Sequence, residues 1–289
     1  MNISVFITSY NQKEVLQEAI ESVLAQTYRP HEIIIVDDFS SDGSQELINS
    51  YRHNYPDIIK PFFHETNLGV TQTRIDALQN VTGDYVTYLD GDDLFLPEKL
   101  EKEAKLIEKG DFHIAFSNNY YFKREKELLW IWAYNKSDIP NPGNMYFEVI
   151  ARKFPRDSLF RMELVNYNLW KRAGFHDLNM KIYEDYEMRI RLSKLAKINY
   201  TLEPLSMIRT DTHSLSRSHS QLHLESFQYI YHKYKEDFEG LSKEQKVYVE
   251  ERFQSFFQKW EVKKNVRNPS HFKLKFKVKE KLISLIQKI

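Results

Sequence analysis

The chain has 289 residues, 42% hydrophobic and 28% charged, the make-up of a soluble globular protein with one large or two modest domains. Its formal net charge is zero, which argues against nucleic-acid binding by bulk charge, and no apolar run reaches the ~18 residues of a membrane span. The absence of cysteine excludes a disulfide framework and fits a cytoplasmic setting.

The first third of the chain alternates strand and helix patterns. Ile3 to Thr8 alternates apolar and β-branched residues and reads as a strand. Asn11 with Glu14 forms the pattern of a capping box. Behind it, Val15, Leu16, Ala19, Ile20, Val23 and Leu24 recur at helical spacing. Glu32 to Val36 is a continuous β-branched run, as in a strand covered on both faces, and it ends in Asp37-Asp38. Ser40 to Gly43 reads as a turn before a helix from about Ser44. A short strand follows near Pro61–His64. Asn67-Leu68-Gly69 forms a turn in which Gly69 supplies a positive φ. A helix runs from Val70 to about Gln79.

The strand Tyr85–Leu89 ends in Asp90-Gly91-Asp92-Asp93. Clustered acids at the end of an apolar strand repel one another unless a cation neutralises them. A hard divalent ion with oxygen ligands serves that need; a solvated acidic turn is the simpler alternative. Leu96-Pro97-Glu98 opens the next helix with Pro at its first position. Leu100, Ala104 and Ile107 form its buried face, and Gly110 closes it.

This βαβαβαβα order predicts a parallel, doubly wound sheet flanked by helices. Such sheets bind ligands beyond the carboxyl ends of their strands. Thr8-Ser9-Tyr10, Asp37-Asp38 and Asp90-Gly91-Asp92 all fall there. No dinucleotide glycine fingerprint and no P-loop follows the first strand.

Residues 117–160 break the alternation and are rich in aromatics, among them Tyr120, Tyr121, Trp130 and Trp132. Aromatic rings serve core packing more often than sugar stacking, and both uses stay open here. Strands are expected at Lys197–Thr201 and Leu205–Arg209. Helices are expected at Leu222–Phe238 and Lys243–Val262. From Lys259 to Ile289 ten Lys and Arg face two Glu, so this stretch carries +8 and the rest of the chain −8. Leu274, Val278, Leu282, Leu285, Ile286 and Ile289 share one helical stripe there. A basic amphipathic segment at 269–289 can lie in an anionic membrane surface or pack on the domain.

The motifs Thr8-Ser9-Tyr10-Asn11, "EIIIVDDFSSDGS", "NLGVTQTRIDAL", "GDYVTYLDGDD" and "YEDYEMRIRL", in this order, resemble the inverting family-2 glycosyltransferases of the GT-A fold. The resemblance covers roughly residues 2–216. It implies a GT-A-like, mostly parallel sheet at 1–216, split into a nucleotide-sugar half at about 1–116 and an acceptor half at about 117–216. A helical extension would follow at 217–289. It also implies a nucleotide-sugar donor and a divalent cation, Mn²⁺ or Mg²⁺. The acceptor would be a glycan or lipid-linked saccharide, which favours a position on the inner face of the cell membrane.

By the same resemblance, Thr8 and Tyr10 hold the nucleotide base. Asp38 accepts its imide N–H, with UDP the preferred donor. Asp37 binds ribose or caps the next helix, and Arg74 faces the nucleotide. Asp92 is the metal ligand, Asp90 a ribose or metal contact, and His213 a third metal ligand or diphosphate contact. Gly91 leaves room for the donor, and Asp93 is the structural member of its cluster. Asp185 is the base that takes the acceptor proton, with Glu184 the next candidate. Two other classes remain. A catalytically silent carbohydrate-binding or partner-binding domain would keep the fold with its acid pair displaced. A sugar-1-phosphate nucleotidyltransferase would need a Gly- and Arg-rich loop where Ser9-Tyr10-Asn11-Gln12 stands.

Overall fold

The computed structural model describes residues 1–123, 127–210 and 220–265. It divides into two units, Met1–Ser214 and Leu215–Ile289. The first carries, in chain order, β1 (Ile3–Ser9), α1 (Lys13–Leu24), β2 (Glu32–Asp37), α2 (Ser44–Asn54), β3 (Ile59–Phe63), α3 (Val70–Gln79) and β4 (Tyr85–Asp90). Then come β5 (Leu94–Phe95), α4 (Lys99–Glu108), β6 (Ile114–Phe122), β7 (Leu128–Ile131), α5 (Tyr146–Ile150), β8 (Leu164–Asn166), α6 (Tyr167–Ala173), α7 (Glu184–Leu195) and β9 (Ile198–Arg209). The second unit holds α8 (Ser220–Tyr234) and α9 (Lys243–Asn265).

The sheet order is β3-β2-β1-β4-β8-β6-β9-β5, with β7 on β6. Strands β1 to β4 are parallel, as the βαβ alternation predicts. Every residue of β1 and β2 is buried, because helices cover both faces. Beyond β4 the sheet becomes mixed. The short β8 runs antiparallel to both β4 and β6, pairing Val86 with Val165 and Ile114 with Val165. A reversed strand enters at the edge where its neighbours end. Residues just before Leu164 therefore lie at the carboxyl edge of β4, beside Asp90. Strand β6 runs parallel to β9, so both also end at that edge.

Several local expectations change. The Asn11–Glu14 capping box does not form. Gln12 is the N-cap residue, and Asn11 takes a left-handed φ of 50° and accepts a hydrogen bond from Ser41 N. The first turn of α1 is capped instead by Asp42 Oδ2, which accepts from Lys13 N at 2.8 Å. Helix α4 starts at Lys99 with Glu98 as N-cap, which leaves Pro97 outside it, its carbonyl bonded to Thr27 N. Gly110 has no left-handed φ, unlike Gly43, Gly69, Gly143 and Gly174. The two strands expected around Pro204 are one strand, β9. Its register slips opposite Ser117–Asn119, where Pro204 cannot donate to the ladder.

In the second unit α8 and α9 bury Phe227, Phe253 and Phe256, with Phe227 and Phe256 stacked 4.5 Å apart. Among the described residues no helix is long and apolar enough to cross a membrane.

Candidate active site

Strand β4 places Asp90 as its last residue, and the chain turns sharply after it. Gly91 N donates to Thr8 O at 3.0 Å, and a Cβ on Gly91 would stand 2.8 Å from that same carbonyl. The close approach of β1 therefore by itself calls for glycine at this position.

Asp90 Oδ1 accepts from Arg74 Nη2 at 2.7 Å and from Thr8 Oγ1 at 3.4 Å. The other arm of Arg74, Nη1, donates to Glu184 Oε1 at 2.8 Å. Arg74 sits on α3, is buried, and lies 4.8 Å over the Tyr88 ring. Burial alone would lower its pKa, but Asp90 and Glu184 outweigh that and hold the guanidinium charged. One arginine thus ties the end of β4 to the start of α7.

Asp92 and Asp93 are under-compensated. Burial, with Asp90 beside it, pushes the Asp92 carboxyl up to about 6. Burial and the charges of Asp92 and Asp90 push Asp93 well above the carboxylate range. Asp93 lies well ahead of the helix start; its Oδ1 accepts from Arg209 N at 2.8 Å and so fixes the end of β9. The side chain of Arg209 adds an Nε bond to Asp92 O at 2.8 Å. Asp92 therefore keeps a carboxylate whose charge the surrounding protein does not balance. Hard oxygen donors in such a state fit a Mg²⁺- or Mn²⁺-like ion, which is commonly held by one or two carboxylates plus substrate phosphates. Among the described residues no group of three or more His, Cys, Asp or Glu could hold a metal alone. His213 lies outside the described residues.

The acid pair opens α7. Glu184 is almost fully covered, at 8% side-chain exposure, whereas Asp185 retains 28%. Burial raises the Glu184 carboxyl, Arg74 opposes, and Asp185 adds, leaving it at about 7. Burial would raise Asp185 too, but Arg189, Arg161 and Arg74 together hold it well below the usual range. Arg189 Nη1 donates to Asp185 Oδ2 at 2.6 Å, and Tyr186 N donates to Oδ1 at 2.7 Å.

At the β2 end, Asp37 is closed into its own turn. It accepts from Ser40 N, Ser40 Oγ and Gln45 Nε2. Asp38 pins the turn before α3, accepting from Leu68 N at 2.7 Å, Gly69 N at 2.8 Å and His64 Nδ1 at 2.8 Å. Its Oδ1 takes two of these bonds and Oδ2 only one, which leaves Oδ2 the freer acceptor. Tyr10 is 50% exposed and Phe39 52%, so two open rings stand where paired strands β1 and β2 end.

Backbone strain gathers at the same edge. Phe39, Met162 and Tyr183 all have positive φ, at 67°, 55° and 63°. Each precedes or follows a candidate site residue, and such conformations persist in bulky residues only where the surroundings enforce them.

Arg161, Glu163 and Arg189 escape the motif reading. Arg189 is recoverable from its i, i+4 spacing to Asp185 on one helix face. Arg161 and Glu163 reach the site only because β8 runs backwards, which no local pattern signals. Trp132, a possible sugar platform from sequence, is buried and donates from Nε1 to Ser158 O, so it serves the core.

A mixed α/β sheet flanked by helices, with acids and an arginine bridge at its carboxyl edge, is a GT-A-like architecture. The sequence profile "Glycosyl transferase family 2" matches residues 4–166, more than half of the chain, and the chain belongs to that family. EpsE of Bacillus subtilis (strain 168), named as a glycosyltransferase, is 39% identical over 107 residues, which cover 37% of this chain and 38% of EpsE. An uncharacterized glycosyltransferase of Nostoc sp. (strain PCC 7120) is 40% identical over 111 residues, covering 38% of this chain and 34% of that protein. The chain thus spans little more than a third of the length of these relatives. Among solved structures, S. aureus TarS 1-349 in complex with UDP-GlcNAc matches with a TM-score of 0.65 at 19% identity, over 80% of this chain and 65% of that one. The mannosyltransferase PcManGT from Pyrobaculum calidifontis, in complex with GDP-Man and Mn²⁺, matches with a TM-score of 0.61 at 14% identity, over 97% and 80%. At these identities the two structures support the fold.

Proposed function

We propose that this protein is a metal-dependent, inverting glycosyltransferase. It moves a sugar from a nucleoside-diphosphate donor to a hydroxyl of a glycan or lipid-linked saccharide. The observation that carries this reading is the Arg74 bridge, Asp90 at 2.7 Å and Glu184 at 2.8 Å. It brings the acid cluster after β4 and the acid pair of α7 into one site. A silent binding domain has no need to hold these two groups together. The nucleotidyltransferase alternative lacks its phosphate loop at Ser9–Gln12.

The residues divide the work by exposure and charge. Tyr10 stacks on the base, and Oδ2 of Asp38 accepts an imide N–H. Uracil suits this acceptor, and the UDP-GlcNAc held by TarS supports that choice, whereas PcManGT holds a guanine nucleotide. Thr8 and Asp37 steady the strand ends around the nucleoside. Asp92, with Asp90, would hold the divalent ion, in keeping with the Mn²⁺ of PcManGT. Such an ion stabilises the charge that builds on the departing diphosphate. Arg74 offers fixed positive charge beside the same group.

Asp185 accepts the proton of the attacking hydroxyl. It is the more exposed acid of the pair and is ionised throughout the neutral range. Glu184, buried and bound to Arg74, orients that arginine. Attack from the side of Asp185, opposite the diphosphate, inverts the anomeric carbon. The basic segment 269–289, which lies outside the described residues, supplies a peripheral contact with anionic lipid on the cytoplasmic face. Residues 1–216 form the catalytic domain in this reading, and 217–289 the extension.

Donor choice is tested by thermal shift with UDP-, dTDP- and GDP-sugars in the presence and absence of Mn²⁺. A Mn²⁺-dependent rise with one nucleotide class supports the reading. No rise with any of them contradicts it.

A further inference from the structure

The candidate base is the end of a buried chain of charges that starts beneath the sheet. Ser117 Oγ donates to Glu103 Oε1 at 2.8 Å, and Lys99 Nζ donates to Glu103 Oε2 at 2.6 Å. The same Lys99 Nζ donates to Met162 O at 2.6 Å, and Thr87 Oγ1 donates to that carbonyl at 2.8 Å. Lys99, Glu103 and Ser117 are fully buried. These bonds hold the left-handed Met162 and so set the direction of the next side chain, Glu163.

Glu163 and Arg189 form a buried ion pair with one hydrogen bond, from Nη2 to Oε2. Oε1 lies 2.8 Å from Nε and Oε2 lies 2.9 Å from Nη2. Tyr88 Oη accepts a further bond from Nη2 at 2.8 Å, and the Phe160 ring lies 5.4 Å from the guanidinium carbon. Arg189 is 2% exposed. Its remaining arm, Nη1, is the one that holds Asp185 Oδ2 at 2.6 Å.

We propose that Glu163 is a positioning residue for the transfer reaction: through Arg189 it fixes the Asp185 carboxylate in the rotamer that faces the acceptor hydroxyl. This rests on the glycosyltransferase reading with Asp185 as base. Glu163 Oε2 accepts a hydrogen bond from Nη2 while Oε1 lies in ion-pair contact with Nε, so the carboxylate holds the guanidinium at two points and limits its rotation. Tyr88 closes the third direction. With Tyr186 N holding Oδ1, neither Asp185 oxygen can swing away. Each still has a lone pair for the incoming proton, and the angle of that lone pair decides whether proton transfer keeps step with attack. Lys in place of Arg189 would keep the charge and lose the fork that reaches Glu163, Tyr88 and Asp185 at once.

The charged and titratable groups facing Asp185 are Arg189 and Glu184 on its own helix, Tyr183 and His176 from the loop before it, Arg74 from α3, Tyr88 from β4, and Arg161 and Glu163 from the segment before β8. Arg189 touches both Glu163 and Asp185, so its replacement separates position from charge.

The test uses the full chain and the donor sugar nucleotide that a panel of UDP-, dTDP- and GDP-sugars shows to be turned over. Nucleotide release is followed across pH 5–9. Glu163→Gln and Arg189→Lys are each expected to lower kcat at least tenfold while KM for the donor stays within twofold, and Glu163→Asp to recover part of the loss. Arg189→Met removes the opposite charge from Asp185. It is expected to move the acid limb of the kcat profile upward, from below this pH window into it. A merely structural role would lower kcat and donor binding together and leave the limb in place.

Melting temperature and donor binding, measured on every variant, show which of them fold. If Glu163→Gln does not, Arg189→Lys carries the test. Wild-type kcat and pH profile in Arg189→Lys and Glu163→Gln, with Asp185→Asn inactive, overturn this inference alone. Full activity in Asp185→Asn, or no turnover of any donor, overturns the reading beneath it.

Discussion

Arg74 Nη1 and Glu184 Oε1 stand 2.8 Å apart, both nearly buried, and this contact joins an arginine on α3 to the first residue of α7. The pair matters because Nη2 of the same arginine already holds Asp90. Replacing Arg74 by Met would leave two partly buried carboxylates without a counter-charge. A broken buried pair of this kind costs about 3–5 kcal/mol. Chemical denaturation is expected to show a loss of that order, together with loss of donor turnover. A loss below about 1 kcal/mol would mean that water already screens the bridge.

The acid cluster predicts an inverted pH response. Asp92 titrates at about 6 in the fold against 3.8 in an unfolded chain, and Glu184 at about 7 against 4.5. Both folded values are raised, so the protonated forms favour the fold. That contribution is complete below pH 4 and is lost as pH climbs to about 7. Asp185 has the opposite sign; its contribution is present above the unfolded value of 3.8 and constant from pH 5.5 to 7.5. The metal-free protein is therefore expected to melt at a higher temperature at pH 5.5 than at pH 7.5. Millimolar Mn²⁺ should erase or reverse the difference, because the ion binds the ionised form. Melting curves at the two pH values, with EDTA and with Mn²⁺, check both halves.

Phe39 holds a left-handed φ of 67° with its ring 52% exposed. Glycine takes that conformation without strain, so Phe39→Gly is expected to stabilise the fold by about 1 kcal/mol. If the ring stands beside the donor base with Tyr10, the same variant raises KM for the donor. Urea unfolding and donor kinetics on one preparation measure both.

Gly91→Ala tests the close approach of β1 and β4. The new Cβ would lie 2.8 Å from Thr8 O, a backbone atom that cannot step aside. A cost of about 1–3 kcal/mol is expected, as for overpacking elsewhere. Gly69→Ala at φ +85°, where a Cβ meets nothing within 4 Å, is expected to cost about 1–2 kcal/mol from the backbone conformation alone.

The basic segment is tested with vesicles of anionic lipid. Full-length protein is expected to co-sediment more strongly than residues 1–268, and less so at high salt. Equal binding would assign the lysines to solvent.

Much of the nucleotide half is readable in the sequence, because β1, β2 and β4 are largely apolar, β2 and β4 end in acids, and the helices between them have a clear period. The caps are not. Asn11 and Glu14 have the right spacing, yet Asp42 from the next loop takes the cap, a tertiary choice that local pattern cannot see. The acceptor half is legible only in pieces. Leu164–Asn166 is three residues long, and its reversed direction follows from how the sheet closes. That reversal places Arg161 and Glu163 at the carboxyl edge. Asp185 and Glu184 stand out as an acid pair at a helix start. Their unequal exposure, 28% for Asp185 against 8% for Glu184, becomes visible only once Arg74 and Arg189 are in place.

The central claim is that two acids, Asp92 and Asp185, act in one metal-dependent transfer. Nucleotide release from the preferred sugar donor, followed with Mn²⁺ and with EDTA, measures it directly. The account predicts turnover with Mn²⁺ that EDTA removes and Asp92→Ala abolishes, and a fall of at least a hundredfold in Asp185→Asn with donor binding retained. The sugar should carry the anomeric configuration opposite to the donor's by proton NMR. Turnover unchanged in Asp185→Asn, or equal rates with Mn²⁺ and EDTA, would contradict it.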